Sequence, residues 1–169
     1  MKPIVCILAA ICLPAVAFCQ DITGLWKGTL FNDSTKQSLD YEIVITKEKG
    51  KLSGFSHTWF VINNKRYYGV KKLNVRIAGD GKIVLQDTKL VEHNYPLSPL
   101  KDVYQLNVLD LVNNANEQEL RGRFVTNRTR MYNELTGDVH IKKASHYAQS
   151  DLLIYLQKNS KETFVAVAK

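Results

Sequence analysis

Past residue 19 the sequence contains no cysteine, because Cys6, Cys12 and Cys19 all fall in the opening segment. If that segment is removed, a disulfide scaffold, a cysteine metal site and a cysteine nucleophile are all excluded. The four histidines, His57, His93, His140 and His146, include no pair at helical or finger-type spacing, so no metal is expected. There is no Gly-x-Ser-x-Gly elbow. Gly79-Asp80-Gly81 is not read as a phosphate cradle, since no helical pattern follows it. Glu42, Asp87, Asp110 and Glu119 offer carboxylates, but a chain of this size supplies as many by chance, and no catalytic role is assigned. The expectation is a non-enzymatic protein without a cofactor.

The opening segment carries one charge, Lys2, then the apolar run Ile4 to Val16, and ends near small residues. This is the pattern of an export signal, and the run is too short to span a bilayer as a mature helix. Residues 1–19 are therefore expected to be a leader cleaved after Cys19, leaving Gln20 first. The chain is then periplasmic or extracellular, with no transmembrane segment expected. The lipoprotein alternative would acylate Cys19, but bulky Phe18 stands where a small residue is required.

Residues 20–169 form one domain by length, large enough for a continuous core. Removing Lys2 takes the net charge from +7 to +6. That surplus suits anionic glycans, lipid headgroups or nucleic acid, but the charges are scattered along alternating strands. Only Arg121, Arg123, Arg128 and Arg130 approach a cluster, and no nucleic-acid partner is expected.

Alternation of period two runs through most of the chain. It predicts strands over Ile22–Leu30, Leu39–Thr46, Leu52–Trp59, Arg66–Ile77 with an interruption near Gly69, Lys82–Leu90, Tyr104–Val112, Glu119–Thr126 and Leu135–Lys142. Lys49-Gly50, Asn63-Asn64 and Asp80-Gly81 supply turns. The segment Val91–Asp102 holds Pro96 and Pro99, which cannot donate to a ladder, and is expected at a barrel end or across its mouth. Asp151–Gln157 reads as a short helix capped by Ser150, with an extra strand as the alternative, and Thr163–Ala168 is strand-like.

An aliphatic residue, any residue and a glycine recur at strand starts: Ile22-Thr23-Gly24, Leu52-Ser53-Gly54, Leu120-Arg121-Gly122 and Leu135-Thr136-Gly137. The aliphatic residue and its glycine share a face with Trp26, Ser56, Phe124 and Val139 respectively. Glycine weakens a strand unless the sheet bends or another backbone comes close, as in a sheet coiled into a barrel. An open sandwich with incidental glycines is the alternative. About eight long strands joined mainly by tight turns predict an all-β, antiparallel up-and-down barrel.

Gly24-Leu25-Trp26 in the first strand, behind a signal peptide, resembles the Gly-x-Trp of lipocalins, avidins and related calycin barrels. The resemblance covers that motif and the number and order of strands. It implies an exported, lipocalin-like barrel in which Trp26 closes the base under a basic side chain from a late strand. Arg121, Arg123, Lys142 and Lys143 are the candidates for that side chain, and spacing does not choose among them. The lipocalin cysteines and avidin's biotin-contacting pattern are both missing.

The expected function is binding of a small apolar or amphipathic molecule in the open end. The alternative is an envelope-associated protein-interaction or glycan-binding module with a filled barrel. Aromatic and cationic groups near strand ends are the candidate ligand contacts: Trp59, Tyr67, Tyr68, Tyr104, Arg123, Arg130 and Tyr132.

Overall fold

The computed structural model describes residues 21–114, 117–145 and 149–159. The expected leader, His146 and the strand-like segment Thr163–Ala168 lie outside these described residues. Eight antiparallel strands follow in chain order: β1 (Gly24–Asn32), β2 (Gln37–Glu48), β3 (Lys51–Ile62), β4 (Lys65–Ile77), β5 (Ile83–His93), β6 (Gln105–Asn114), β7 (Glu117–Thr126) and β8 (Thr136–Lys143). Each pairs with its neighbour in sequence, and β8 returns to β1, closing the barrel. Every strand thus has two neighbours, although β5 and β6 pair only over Ile83–Gln86 and Leu106–Leu109. The helix α1 (Asp151–Asn159) follows the last strand, and Leu153 N–H donates to the Ser150 hydroxyl at 3.1 Å, the expected cap.

The turns sit where the sequence places them. Lys49 and Gly50 have φ of 47° and 81°, and Asn63 and Asn64 have φ of 50° and 60°. Positive φ at both central residues gives a turn whose twist matches that of the flanking strands. The expected break near Gly69 is absent from β4, which runs unbroken. The irregularity falls on its partner. Val70 and Lys71 pair with Glu92 and Leu90, while Lys72 and Leu73 pair with Lys89 and Asp87, so Val91 and Thr88 are extra residues in β5. Each shift is a bulge that turns the following residues to the other face.

The lower lumen is packed solid by Ile22, Trp26, Ile43, Ile45, Leu73, Leu85, Leu109, Leu120 and Ile141. Trp26 is wholly buried at the base, its indole N–H donating to the Ile22 carbonyl at 3.0 Å. Of the four basic candidates, Lys143 lies over it, with Nζ 5.7 Å from the ring centroid and donating to the Asp21 carbonyl at 3.0 Å. The inward glycines permit this coiling. A Cβ at Gly137 would stand 1.8 Å from the Phe31 carbonyl oxygen, and one at Gly122 would stand 2.1 Å from that of Val108.

A second, smaller core lies outside the barrel. Leu152 and Leu156 of α1 pack on Leu25, Val44 and Val70, with Phe55 and Tyr68 at the margin. The carboxylate of Glu42 anchors the helix start, accepting from the Ser150 hydroxyl at 2.8 Å and from Leu152 N–H at 3.1 Å, while Lys27 pairs with its other oxygen at 2.8 Å. A buried carboxylate at this end complements the helix dipole.

Candidate functional site

Above the packed base the lumen opens into a cavity of about 790 Å³. Its walls are Leu30, Leu39, Phe60, Leu90, Phe124 and Leu135, and its mouth is bordered by Pro99, Leu100, Val103, Tyr104 and Tyr132. Against this apolar lining stands one ion pair, Lys71 of β4 with Asp87 of β5. Asp87 is almost fully buried, whereas the Lys71 side chain keeps a quarter of its surface exposed. Gln105 N–H also donates to Asp87, at 3.2 Å. Burial raises the Asp87 carboxyl above the usual range, against the opposing pull of Lys71 and the Gln105 amide.

Below the pair lies a polar layer. Asn107 is fully buried, accepts from the Gln105 side-chain amide at 2.8 Å and donates to the Leu85 carbonyl at 3.4 Å. The Tyr41 hydroxyl is buried beside Ser56 and Asn107 but has no hydrogen-bond partner of acceptable geometry. Burial, reinforced by the Asp87 charge, raises its pKa. Tyr95 reaches in from the loop after β5, with its hydroxyl over Gly69 where a Cβ would stand 2.0 Å away. Burial, with Asp87 and Tyr132, pushes the Tyr95 phenol up to about 12.

Two loops form one side of the mouth: residues 94–104 between β5 and β6, and 127–135 between β7 and β8. Asn127 ties them together. Its side chain accepts from Tyr104 N–H at 2.7 Å and donates to the Asp102 carbonyl at 2.8 Å. The Pro96–Pro99 segment therefore borders the cavity, since Pro99 and its neighbours line it.

Of the seven candidate contacts, Tyr104 and Tyr132 line this cavity. Tyr67 stacks on Phe60 with ring centroids 5.8 Å apart, and Arg130 is exposed on the 127–135 loop. Trp59 and Tyr68 face outward. Trp59 lies against His57 at 3.7 Å and beneath Arg66, whose guanidinium carbon is 5.1 Å from its ring centroid. Tyr68 donates to Glu92 at 2.8 Å, which raises the phenol's pKa. Arg123 sits on the outer wall, bound to Asp138 at 2.8 Å and Asp33 at 2.6 Å. Sequence reasoning passed over Lys71 and Tyr95, and set Asp87 among four carboxylates that the fold keeps apart: Glu42 lies under α1, Asp110 is exposed, and Glu119 is on the wall. A signal for the pair was present, because Lys71 shares parity with Leu73 and Val75, as Asp87 does with Ile83 and Leu85.

The outer wall of β7 and β8 is a lattice of compensated charge. Glu119 is nearly buried beneath Arg121, His140 at 3.3 Å and Lys142 at 3.4 Å. Burial works against its charged form, but the His140 hydrogen bond and the Arg121 and Lys142 charges outweigh this and lower its pKa. A second hollow, about 370 Å³ and largely polar, lies beside the start of α1 between Lys27, Glu42, Trp59 and Arg66. No group of three or more histidines, cysteines or carboxylates poised for a metal occurs among the described residues. No helix among them is long and apolar enough to cross a membrane. The chain matches no family model, no curated protein and no solved structure in the comparisons made.

Proposed function

We propose that this protein is a non-enzymatic carrier that binds a small amphipathic molecule in the open half of the barrel. The observation that carries the reading is the cavity itself: its volume falls within the range of about 300–1,000 Å³ usual for small-molecule sites, and its mainly apolar walls hold a few polar groups, the Lys71–Asp87 ion pair among them. The ligand's apolar body lies along Leu39, Phe60, Leu90 and Phe124, and its polar head meets Lys71 and Asp87. In this reading the chain is an exported, lipocalin-like barrel with residues 1–19 as leader. Trp26 plugging the base under Lys143 supports that resemblance.

Native mass spectrometry of protein isolated from its own host tests the reading, together with titration by an environment-sensitive acyl probe. A co-purifying small molecule, and probe binding abolished by the cavity-filling variant Leu39→Trp, are the expected results. Neither Trp26 nor Trp59 lines the cavity, so displacement of the probe is a better measure than intrinsic fluorescence. An empty barrel that ignores a lipid and metabolite panel would sink the proposal.

One observation favours a second reading, catalysis in the cavity with Asp87 as general base: it is a buried carboxylate of raised pKa in a pocket. Turnover of a retained ligand that disappears in Asp87→Asn, with binding kept, would select it over the carrier.

A further inference from the structure

We infer that the open end of the barrel docks on an anionic lipid bilayer. Large apolar side chains exposed to solvent are distributed very unevenly over the described residues. Of the ten that are exposed, Val61, Ile62, Val91, Leu97, Leu100, Tyr104, Val125 and Met131 belong to the mouth loops or to the strand ends beside them. Ile77 alone lies at the closed end, and Ile154 is on α1. The loop tips are the most exposed, Leu97 at 81 % and Met131 at 76 %. A soluble surface rarely gathers apolar groups this way unless they meet something.

Charge distinguishes this rim from a plain hydrophobic patch. Lys36, Lys65, Lys101, Arg128 and Arg130 are exposed on the same turns and loops and take part in none of the ion pairs found among the described residues. Several cations elsewhere behave otherwise: Arg66, Lys82, Arg121, Arg123 and Lys142 each hold a carboxylate, although Lys72, Arg76 and Lys89 on β4 and β5 do not. The five rim cations outnumber Asp102 and Glu134, the carboxylates of the same loops that are outside the ion pairs. Interleaved with protruding apolar side chains, they match a headgroup layer, where the cations meet phosphate and the apolar groups enter the acyl boundary. Lys47, Lys49 and Lys51 at the closed end are likewise outside the ion pairs, but only Ile77 accompanies them. Charge alone therefore draws either end toward an anionic surface, and only the mouth has side chains to insert.

The shape of the rim favours a bilayer over a protein partner. Its apolar groups stand on separate turns around an opening rather than on one continuous face, so each tip can enter a lipid surface independently. Asn127 braces two of the loops, which limits the ordering cost of docking. Docking does not require an occupied cavity; if the carrier reading holds, it lets an amphipathic ligand pass between bilayer and barrel without crossing water.

Co-flotation of the protein with vesicles tests the inference, using phosphatidylcholine with and without phosphatidylglycerol. The protein is expected to float with the anionic vesicles and to be released in part by salt, as charge screening requires. The double variant Leu97→Asp/Met131→Asp changes only exposed tips, and its binding should fall about tenfold or more. Lys101→Glu/Arg130→Glu, made separately, should also weaken binding. The closed-end variant Lys47→Glu/Lys49→Glu/Lys51→Glu should leave it within about twofold. Equal losses from the two ends would mean unspecific attraction and would overturn the inference. So would absence of flotation at low salt, or a Leu97→Asp/Met131→Asp variant that floats normally but loses a dimer seen by sedimentation. Acyl-probe binding in solution, measured alongside, reports on the carrier reading independently.

Discussion

Replacing Trp26 by alanine separates the architecture from the function. The side chain has no exposed surface, so the substitution removes a whole buried indole at the base of the lumen, beneath Lys143. Large-to-small changes of this kind cost about 3–5 kcal/mol, the upper part applying where neighbours cannot collapse. Here they cannot easily do so, because Ile43 and Ile141 belong to strands of a closed barrel. The change also strands the Ile22 carbonyl, which accepts the indole N–H. Trp26→Phe retains most of the apolar volume and loses that donor, for an expected loss of about 1–3 kcal/mol. Urea unfolding followed by far-ultraviolet circular dichroism would measure both, and for a domain of this size Trp26→Ala should lower the melting temperature by roughly 6–20 °C. Acyl-probe affinity below the melting range should be unchanged, since the cavity does not include Trp26. A stability change under about 1 kcal/mol would refute the plug assignment. Loss of probe binding in a folded variant would refute the separation of the two ends.

Other perturbations address the remaining devices. Gly137→Ala should cost about 1–3 kcal/mol or more from overpacking, because its Cβ would meet the Phe31 carbonyl oxygen and Phe124; Gly79→Ala, with nothing within 4 Å, serves as the neutral control in the same denaturation series. Glu42→Ala removes the acceptor for the Ser150 hydroxyl and Leu152 N–H and should cost about 1–3 kcal/mol, seen as faster hydrogen exchange over residues 151–159 with the barrel still protected. His57 is buried with neither ring nitrogen hydrogen-bonded, and burial lowers its pKa, with Arg66 acting in the same direction and Glu42, Asp151 and Glu92 opposing. The unfolded chain therefore binds the proton more tightly, and stability present above about pH 6.5 is lost as the pH falls toward the folded value. Melting temperature should drop between neutral and mildly acidic pH, and His57→Gln should flatten that dependence. A wild-type slope retained in the variant would move the effect to another group.

Much of the architecture was legible because each strand presents one apolar face with period two and each tight turn carries residues suited to positive φ, as at Asn63-Asn64. On β3 the Leu52-Ser53-Gly54 motif marks the face of Gly54 and Ser56 as the inward one, as found, but the covering of the other face was not legible. Phe55, His57 and Trp59 alternate with Gly54, Ser56 and Thr58, and both sets are largely covered, one by the lumen and one near α1 and its neighbours. Period two identifies two faces but does not say which is inside when a helix covers the outer one. Trp59 and Tyr68 were site candidates as aromatic groups near strand ends, a criterion that ignores the face, and they lie on the outer wall. The site pair was obscured differently. Lys71 and Asp87 look like ordinary strand charges, and their meeting depends on a register between β4 and β5 that the bulges at Thr88 and Val91 modify.

Those bulges link the closed and open halves of the molecule. On β5, Ile83 and Leu85 point into the packed base and Asp87 ends that run. A strand continuing in strict alternation would send Lys89 inward next and place a second cation beside Lys71. The extra residue Thr88 shifts this register: Lys89 pairs with Lys72, Leu90 pairs with Lys71, and the Thr88 hydroxyl closes the irregularity by donating to the Lys72 carbonyl at 3.0 Å, while Lys89 stays exposed at the cavity's edge. The second extra residue, Val91, brings His93 opposite Gly69, where the missing side chain admits the Tyr95 hydroxyl. One irregular strand thus places Leu90 opposite Lys71, next to the buried Lys71–Asp87 pair, and delivers Tyr95 from the mouth loop to the cavity wall. The chemistry of the cavity and the position of the apolar rim consequently depend on the same few residues. Shortening β5 by deleting Thr88 should disturb ligand binding and vesicle docking together while leaving the Trp26 base intact, and a deletion that affected only one of them would show that the two are built independently.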